Sequence, residues 1–447
     1  MSAALPDPRT ARRFRLLDCD WQDGTATLRY AFDEGAPWSE CIVFPDAPML
    51  APARRAAFLR ALALLHAIAG VSYYKAGAVA RIVSLQPLAG ADTLALLQSV
   101  YREGLAEFAY RNALRVDPQW DAPLGAAEAA PALGLPRRLL VPLGGGKDSL
   151  VTLEALRAGG ADVTAVWVGD SPLIAACAAR AGVPTLNIRR TLAPELFAAN
   201  RAGAWNGHVP VTAINSAILA CAALLYGYDG IAFANERSAS SATLEYDGTP
   251  INHQWSKGWD FEQRYAALLR TTVAADLRYF SLLRPWSELA VTRAFARLPQ
   301  YFDVFSSCNR NFRILGPRPA DRWCGQCPKC HFVFLALAPF LPKPRLLAIF
   351  GANLLDDETQ AEGFDALIEY REHKPFECVG EAAEARAALA SLAARPEWRE
   401  DALVARFRSE ILPQLDADAL ALEPWLRAAG PHGVPAHLQP VLDAIGT

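Results

Sequence analysis

The chain has 447 residues, 52% hydrophobic and 20% charged, which excludes wholesale disorder and leaves ample apolar surface for a core of its own. Forty-four basic against 47 acidic residues give a net charge of −3, too balanced to attract nucleic acid or an anionic membrane over long range. Nine cysteines are ordinary usage, and no basic region leads into an apolar run at the start, so a reducing, cytoplasmic setting without membrane insertion is expected.

At roughly 150 residues per domain the length predicts about three units. The segments FRLLDCD and TATLRYAF flank a Gln-Asp-Gly turn and read as strands, and Glu40–Phe44 adds a third. Pro52 opens a helix through Ala69, and a second runs from about Asp92 to Asn112. Between them the Gly-bounded string GVSYYKAG reads as a loop carrying Tyr73, Tyr74 and Lys75. The Pro-, Ala- and Gly-rich stretch Asp121–Pro136 reads as a linker closing an N-terminal α+β domain, residues 1–125. Beyond it, apolar strands at Leu139–Leu143, Val163–Val168, Thr185–Ile188 and Gly230–Ala234 alternate with helices from Asp148, over Pro172–Ala181 and over Pro210–Tyr226. Uniformly apolar strands in βαβ succession predict a buried parallel sheet with helices on both faces and ligands beyond the strands' carboxyl ends. Helical patterns return at Asp260–Phe280 and Trp286–Ala296. The α/β unit and its cysteine cluster take residues 137–342; the Leu- and Ala-rich remainder, 343–447, reads as a helical subdomain.

The string LLVPLGGGKDSL sets Gly144, Gly145 and Gly146 between a strand and a helix. Backbone N–H groups there can approach phosphate oxygens, and the helix N-terminus, capped by Asp148 or Ser149, favours an anion. It is not a Walker loop, because position 141 is valine and Asp148 separates Lys147 from Ser149; nor has it the dinucleotide fingerprint's glycine spacing. Trp167 and Val168 end the next strand, where an adenine could rest. Cys308 is followed after fifteen residues by Cys324, Cys327 and Cys330. Four thiolates on two segments suit a closed tetrahedral structural zinc site, with an iron–sulfur cluster as the rival. Cys19, Cys41, Cys177, Cys221 and Cys378 have no companion at ligand spacing and are expected as small core residues. Polar strings at Asn206–Ser216, Ala234–Ser241, Leu244–Gly248 and Ile251–Glu262 interrupt apolar surroundings. They and the cysteine region supply Arg237, Lys257, Arg310 and Arg313 as cations, and His208, His253, Lys257, Glu236 and Glu245 as groups able to move a proton.

The glycine loop resembles that of the ATP pyrophosphatases, with Gly144 in place of their usual first serine. The cysteine pattern is similar to that of the deazaguanine nitrile synthases of the same superfamily. Together LGGGKDSL, ANERSASS, INHQWSKGWDFE and SSCNRNFRI…RWCGQCPKC resemble the ATP-dependent epimerases of UDP-N-acetylmuramoyl-L-alanyl-L-glutamate, the match running from the SYYK string through the cluster. The resemblance implies an ATP pyrophosphatase core and inversion of the terminal L-glutamate of a nucleotide-linked muramoyl dipeptide to D-glutamate for peptidoglycan. The carboxylate would pass through an acyl-adenylate, releasing AMP and diphosphate. ATP, Mg2+ and structural Zn2+ are the implied cofactors, and a ligase adding L-glutamate is the implied pathway partner. Gly144, Gly145, Gly146, Lys147, Asp148 and Ser149 would hold the phosphates, with Lys147 and the magnesium ligand Asp148 assisting adenylation. His253 and Lys257 are the candidate acid and base, with Glu236 and His208 as alternatives, and Tyr73, Tyr74 and Lys75 are candidates to hold the substrate. Another adenylating enzyme, such as a deazaguanine nitrile synthase or an RNA-modifying enzyme, is the alternative; a nucleotide-binding scaffold without turnover is the third reading.

Overall fold

Asp23 and Gly24 turn the first hairpin with positive φ at both residues (47° and 77°), the backbone an Asp-Gly pair supplies between twisted antiparallel strands. The turn joins β1 (Phe14–Gln22) to β2 (Thr25–Phe32), and β3 (Trp38–Val43) completes an antiparallel meander. β4 (Arg81–Ser84) lies parallel to β1, and β5 (Gln119–Asp121) parallel to β4. This computed structural model describes residues 6–126, 129–313, 317–371 and 373–446; residues 127–128 of the expected linker and Ile314 of the SSCNRNFRI string lie outside them.

Past the linker, β6 (Leu139–Pro142), β7 (Val163–Val168), β8 (Thr185–Thr191), β9 (Gly230–Phe233) and β10 (Arg278–Ser281) run parallel in the order β10-β9-β6-β7-β8. This is a doubly wound order, which reverses direction between β6 and β9 and so opens a crevice at their carboxyl ends. At the other side β8 pairs antiparallel with β3, so the N-terminal strands and the parallel unit share one mixed ten-stranded sheet.

Successive strand residues serve opposite faces: Val141, Ala165 and Phe280 enter one core, Leu140, Val166 and Tyr279 the other. The first core takes Lys147–Ala158, Pro172–Ala181, Glu288–Phe295, Pro328–Leu337 and the C-terminal helices. The second takes Pro52–Ala69, Val211–Tyr226 and Trp259–Leu268. The cores therefore divide by sheet face. Val211–Tyr226 packs on both Pro52–Ala69 and β9, which accounts for a helix apolar nearly all round. Among the described residues Pro52–Tyr74 has the length and apolarity of a membrane span, yet 78% of its most apolar window is buried.

Three segments depart from their expected form. GVSYYKAG is not a loop: Val71–Tyr74 is helical, and both tyrosines are buried in aromatic packing. Tyr73 Oη accepts the Ala193 N–H at 3.1 Å, and Tyr74 Oη donates to the Val79 carbonyl at 2.9 Å. The helix expected over Asp92–Asn112 divides into Gly90–Arg102 and Ala106–Arg111. At the break Gly104 lies against Pro210, where a Cβ would come within 2.9 Å of the proline Cγ. The helix begun at Trp259 ends at Leu268 in a π-turn over Leu269–Val273, and the aromatic string RYFS becomes edge strand β10 because it pairs with β9.

Candidate active site

The crevice at the sheet's reversal is a cleft of about 490 Å³. Pro142, Leu143, Gly144, Gly146, Asp148 and Ser149 line it beyond β6, and Phe233, Ala234 and Asn235 beyond β9. Gly146 caps Lys147–Ala158 without a side-chain hydrogen bond, so no side chain competes with an anion for the first-turn N–H groups. Ser149 Oγ instead braces the loop, accepting the Gly144 N–H at 3.3 Å and donating to the Gly146 carbonyl at 3.2 Å. Gly145 has φ 79°, and a Cβ on Gly146 would stand 2.6 Å from Ser307 Oγ. The segment before Cys308 thus rests directly on the loop, and the Ser306 N–H bonds the Gly145 carbonyl at 2.9 Å.

Lys147 is buried and ion-paired with both Asp148 and Glu288. Burial opposes its charge, but Asp148 and then Glu288 outweigh that and raise its pKa. Burial likewise opposes the Asp148 carboxylate, yet Lys147 and Lys329 hold its pKa below the ordinary value. Glu236 lies behind this wall; burial, then Glu288, push it up to about 7. Burial, then Glu236 and Glu288, raise Glu384 well above the carboxylate range. Lys147 is thus the cation paired directly with Asp148 and Glu288 in a buried cluster of carboxyl groups.

The rest of the cleft is lined by His208, Val211, Thr212, Asn215, His253, Gln254, Ser256, Lys257, Lys329 and Cys378 among others. Arg284, buried and paired with Glu262 at 2.7 Å, ties this wall to the first: it donates to the carbonyls of Glu236 (2.8 Å) and Lys257. Glu107, buried on Ala106–Arg111, receives His253 Nδ1 at 2.5 Å and Arg111 Nε at 2.7 Å. The rings of His208 and His253 are 4.4 Å apart. Burial opposes protonation of His253, but the nearby Cys378 and the Glu107 carboxylate raise it to about 9. Burial, then the His253 charge, lower His208 to about 4. Lys257 Nζ donates to Cys378 Sγ at 3.2 Å. Burial resists the Cys378 thiolate, but Lys257 and then His253 hold its pKa down to about 5. The expectation of Cys378 as a core residue is therefore wrong: it is half-buried, in the cleft, beside two cations.

The sulfurs of Cys308, Cys324, Cys327 and Cys330 lie within 4.8 Å of one another, with separations of 3.5 Å (Cys327–Cys330), 3.7 Å (Cys324–Cys330) and 3.9 Å (Cys327–Cys308). A tetrahedron with metal–sulfur bonds of about 2.3 Å sets its sulfurs about 3.8 Å apart, so the four fit one metal ion. Gly325, at φ 67°, turns the chain between the first two sulfurs of the CGQCPKC string. Lys329, within that string, donates to the Cys378 carbonyl, so the knuckle props one wall of the cleft while Ser306 and Ser307 rest on the other. Glu107, His208 and His253 also offer three ligand atoms within 4.8 Å, but Glu107 is already engaged by His253 and Arg111; we describe it as a carboxylate–imidazole pair.

The structure thus brings Gly144, Gly146, Lys147, Asp148, Ser149, His208, His253 and Lys257 together around the cleft. Trp167 and Val168 are not among the residues lining it: Trp167 is buried in the core of the face covered by Lys147–Ala158, and Val168 packs toward the other core. Arg237 stacks on Trp425 and Arg310 bonds Gln326, both away from the cleft lining, and Glu245 is exposed on the Leu244–Tyr246 strand. Lys75 bonds the Asn206 side chain, fastening the loop before His208. Glu107, Glu288, Lys329 and Cys378 escaped the sequence reading. Only Lys329 carried a signal, the scarcity of lysines, six in all.

Models of the MurL N-terminal domain and the MurL C-terminal domain match residues 6–282 and 304–421. A UDP-N-acetyl-alpha-D-muramoyl-L-alanyl-L-glutamate epimerase of Xanthomonas oryzae pv. oryzae is 57% identical over 437 residues, covering 97% of each chain. Proteins of the same description from Salinispora tropica and a Micromonospora species are 43% and 44% identical, over 96% and 94% of this chain and 94% and 95% of theirs.

Proposed function

The chain belongs to the MurL family, and from that premise we propose that it inverts the terminal L-glutamate of UDP-N-acetylmuramoyl-L-alanyl-L-glutamate to D-glutamate in peptidoglycan precursor synthesis. The observation that carries the reaction and its substrate is likeness to epimerases of that description along nearly the whole chain. The ATP-dependent route to inversion is our finer reading, supported by a glycine loop and helix N-terminus at the reversal point of a doubly wound sheet.

Inversion needs the α-hydrogen to leave a carbon beside a free carboxylate, which would put a second negative charge on the enolate. Joining that carboxylate to AMP removes its charge and makes the carbonyl an electron sink. In this reading the amides of Gly145 and Gly146 and the ammonium of Lys147 neutralise the departing diphosphate. Magnesium, when bound, adds charge neutralisation at the phosphates; Asp148 is the cleft carboxylate suited to hold it. Cys308, Cys324, Cys327 and Cys330 would hold zinc with no open position, so its part is structural.

The test incubates protein, ATP, Mg2+ and the L-glutamyl dipeptide nucleotide in deuterated water. AMP, diphosphate and α-deuterated D-glutamyl product are expected. ADP and phosphate, or equal inversion without ATP, would overturn the adenylate; no inversion under any nucleotide would overturn the epimerase.

A further inference from the structure

Cys378 belongs to none of the sequence motifs, yet it meets Lys257 and His253 inside the cleft. Lys257 Nζ donates to its sulfur at 3.2 Å, and His253, which lines the same cleft and favours the thiolate by its charge, is held from behind by Glu107. Lys329 fixes the Cys378 carbonyl, so the backbone carrying the thiol is set from the cysteine knuckle. A carboxylate orienting an imidazole that in turn meets a thiol is the arrangement that keeps a cysteine ionised and aimed. We propose that the Cys378 thiolate removes the α-hydrogen of the activated glutamyl residue, with Lys257 and His253 as positioning residues.

The inference rests on the epimerase reading above. In the step, the Cα–H bond breaks, an S–H bond forms on Cys378, and the C–H electron pair moves into the adenylated carboxyl as an enolate. A solvent-derived proton then adds to the opposite face of Cα, and water releases AMP. The other candidates serve less well as the acceptor. Lys257 is held as an ammonium by its neighbours, and His253 is an imidazolium at neutral pH. Asp148 is paired with Lys147, and Glu107 is occupied by His253 and Arg111. His208 lies with its ring 4.4 Å from the His253 imidazolium, so taking up a proton would set two cations side by side.

The experiment compares wild-type protein with Cys378→Ser and Cys378→Ala in the full chain, reading two things separately. One is exchange of labelled diphosphate into ATP in the presence of the dipeptide nucleotide, which reports adenylation. The other is deuterium incorporation at the glutamyl Cα in deuterated water. Both variants should keep diphosphate exchange within about threefold and lose α-deuteration by about 100-fold or more, the usual scale for removing a general base. Deuteration within a few-fold of wild type, or equal loss of both signals, would overturn the proposal. So would a glutamyl thioester on Cys378, detected as a covalent mass adduct on the peptide that carries it in wild type, because it would make the sulfur a nucleophile. If wild type itself exchanges no diphosphate, the adenylate reading fails instead.

Discussion

The wall of the cleft that carries the glycine loop comes from one short run, Pro142–Ser149, whereas its other wall draws on Glu107, His208, His253, Lys257, Lys329 and Cys378, scattered over much of the chain. A contiguous wall is shaped by local backbone: glycines, a strand end and a helix start. The assembled wall exists only after helices, a knuckle and a C-terminal loop have packed. Damage to the first should be local and chemical; damage to the second should depend on how far away the fold is disturbed.

The perturbation that should erase the distinction is loss of the metal proposed for the four cysteines. Ser306 and Ser307 rest on the glycine loop, and Lys329 fixes the Cys378 carbonyl, so both walls lean on the cysteine knuckle. Structural zinc contributes about 10 kcal/mol or more to folding in small zinc modules. Cys327→Ser should therefore abolish stoichiometric metal, adenylation and α-deuteration together. Metal analysis, calorimetry and the two activity readouts check this; retained adenylation would show the glycine wall independent of the knuckle.

Lys147→Met should separate the walls. It leaves Glu288 buried without its cation, beside Glu236 and Glu384, a loss of about 3–5 kcal/mol when one partner of a buried pair is removed. Adding Glu288→Gln should recover much of that stability in denaturant unfolding without recovering diphosphate release. If the double variant also recovers release, Lys147 serves folding alone.

This contrast marks what was legible in the sequence. Strands β6–β9, the flanking helices and the glycine loop follow from apolar runs and turn residues acting within a few positions, and the four cysteines from spacing. β10 was missed because RYFS continues a helical pattern until β9 supplies its partner. Glu107 and Cys378 were missed for a deeper reason: nothing near them in the chain differs from an ordinary helix acid or small apolar residue. Their chemistry arises from the distant neighbours that folding brings, His253 for Glu107, and Lys257 and His253 for Cys378.

The assembled wall should also announce itself in the pH profile. The Cys378 pKa is depressed to about 5, so the thiolate is lost as pH falls through that value; His253 is raised to about 9, so the imidazolium is lost as pH rises through it. Lys257, His253, Lys329 and Glu377 are the charged groups around the sulfur, with Glu107 and His208 behind His253. Alpha-deuteration should therefore be bell-shaped. Lys257→Met, which removes the strongest influence lowering the thiol pKa, should move the acid limb upward by about 1–3 pH units. An unmoved limb would detach Lys257 from Cys378.

The smallest expected effect concerns the tyrosines first considered as substrate contacts. Tyr74 is buried, stacks edge-on against Phe14 and Tyr101, and spends its hydroxyl on the Val79 carbonyl at 2.9 Å. Its role is thus to close the core beneath the meander, distant from both walls in function though its neighbour Lys75 secures the loop leading to His208. Tyr74→Phe keeps the ring and removes one buried hydrogen bond, a loss of about 1 kcal/mol. Unfolding should shift by that amount while KM for the dipeptide nucleotide and the rate of α-deuteration stay at wild-type values. A rise in KM without a loss of stability would put the Tyr74 hydroxyl on the substrate after all, and would extend the assembled wall into the N-terminal strands.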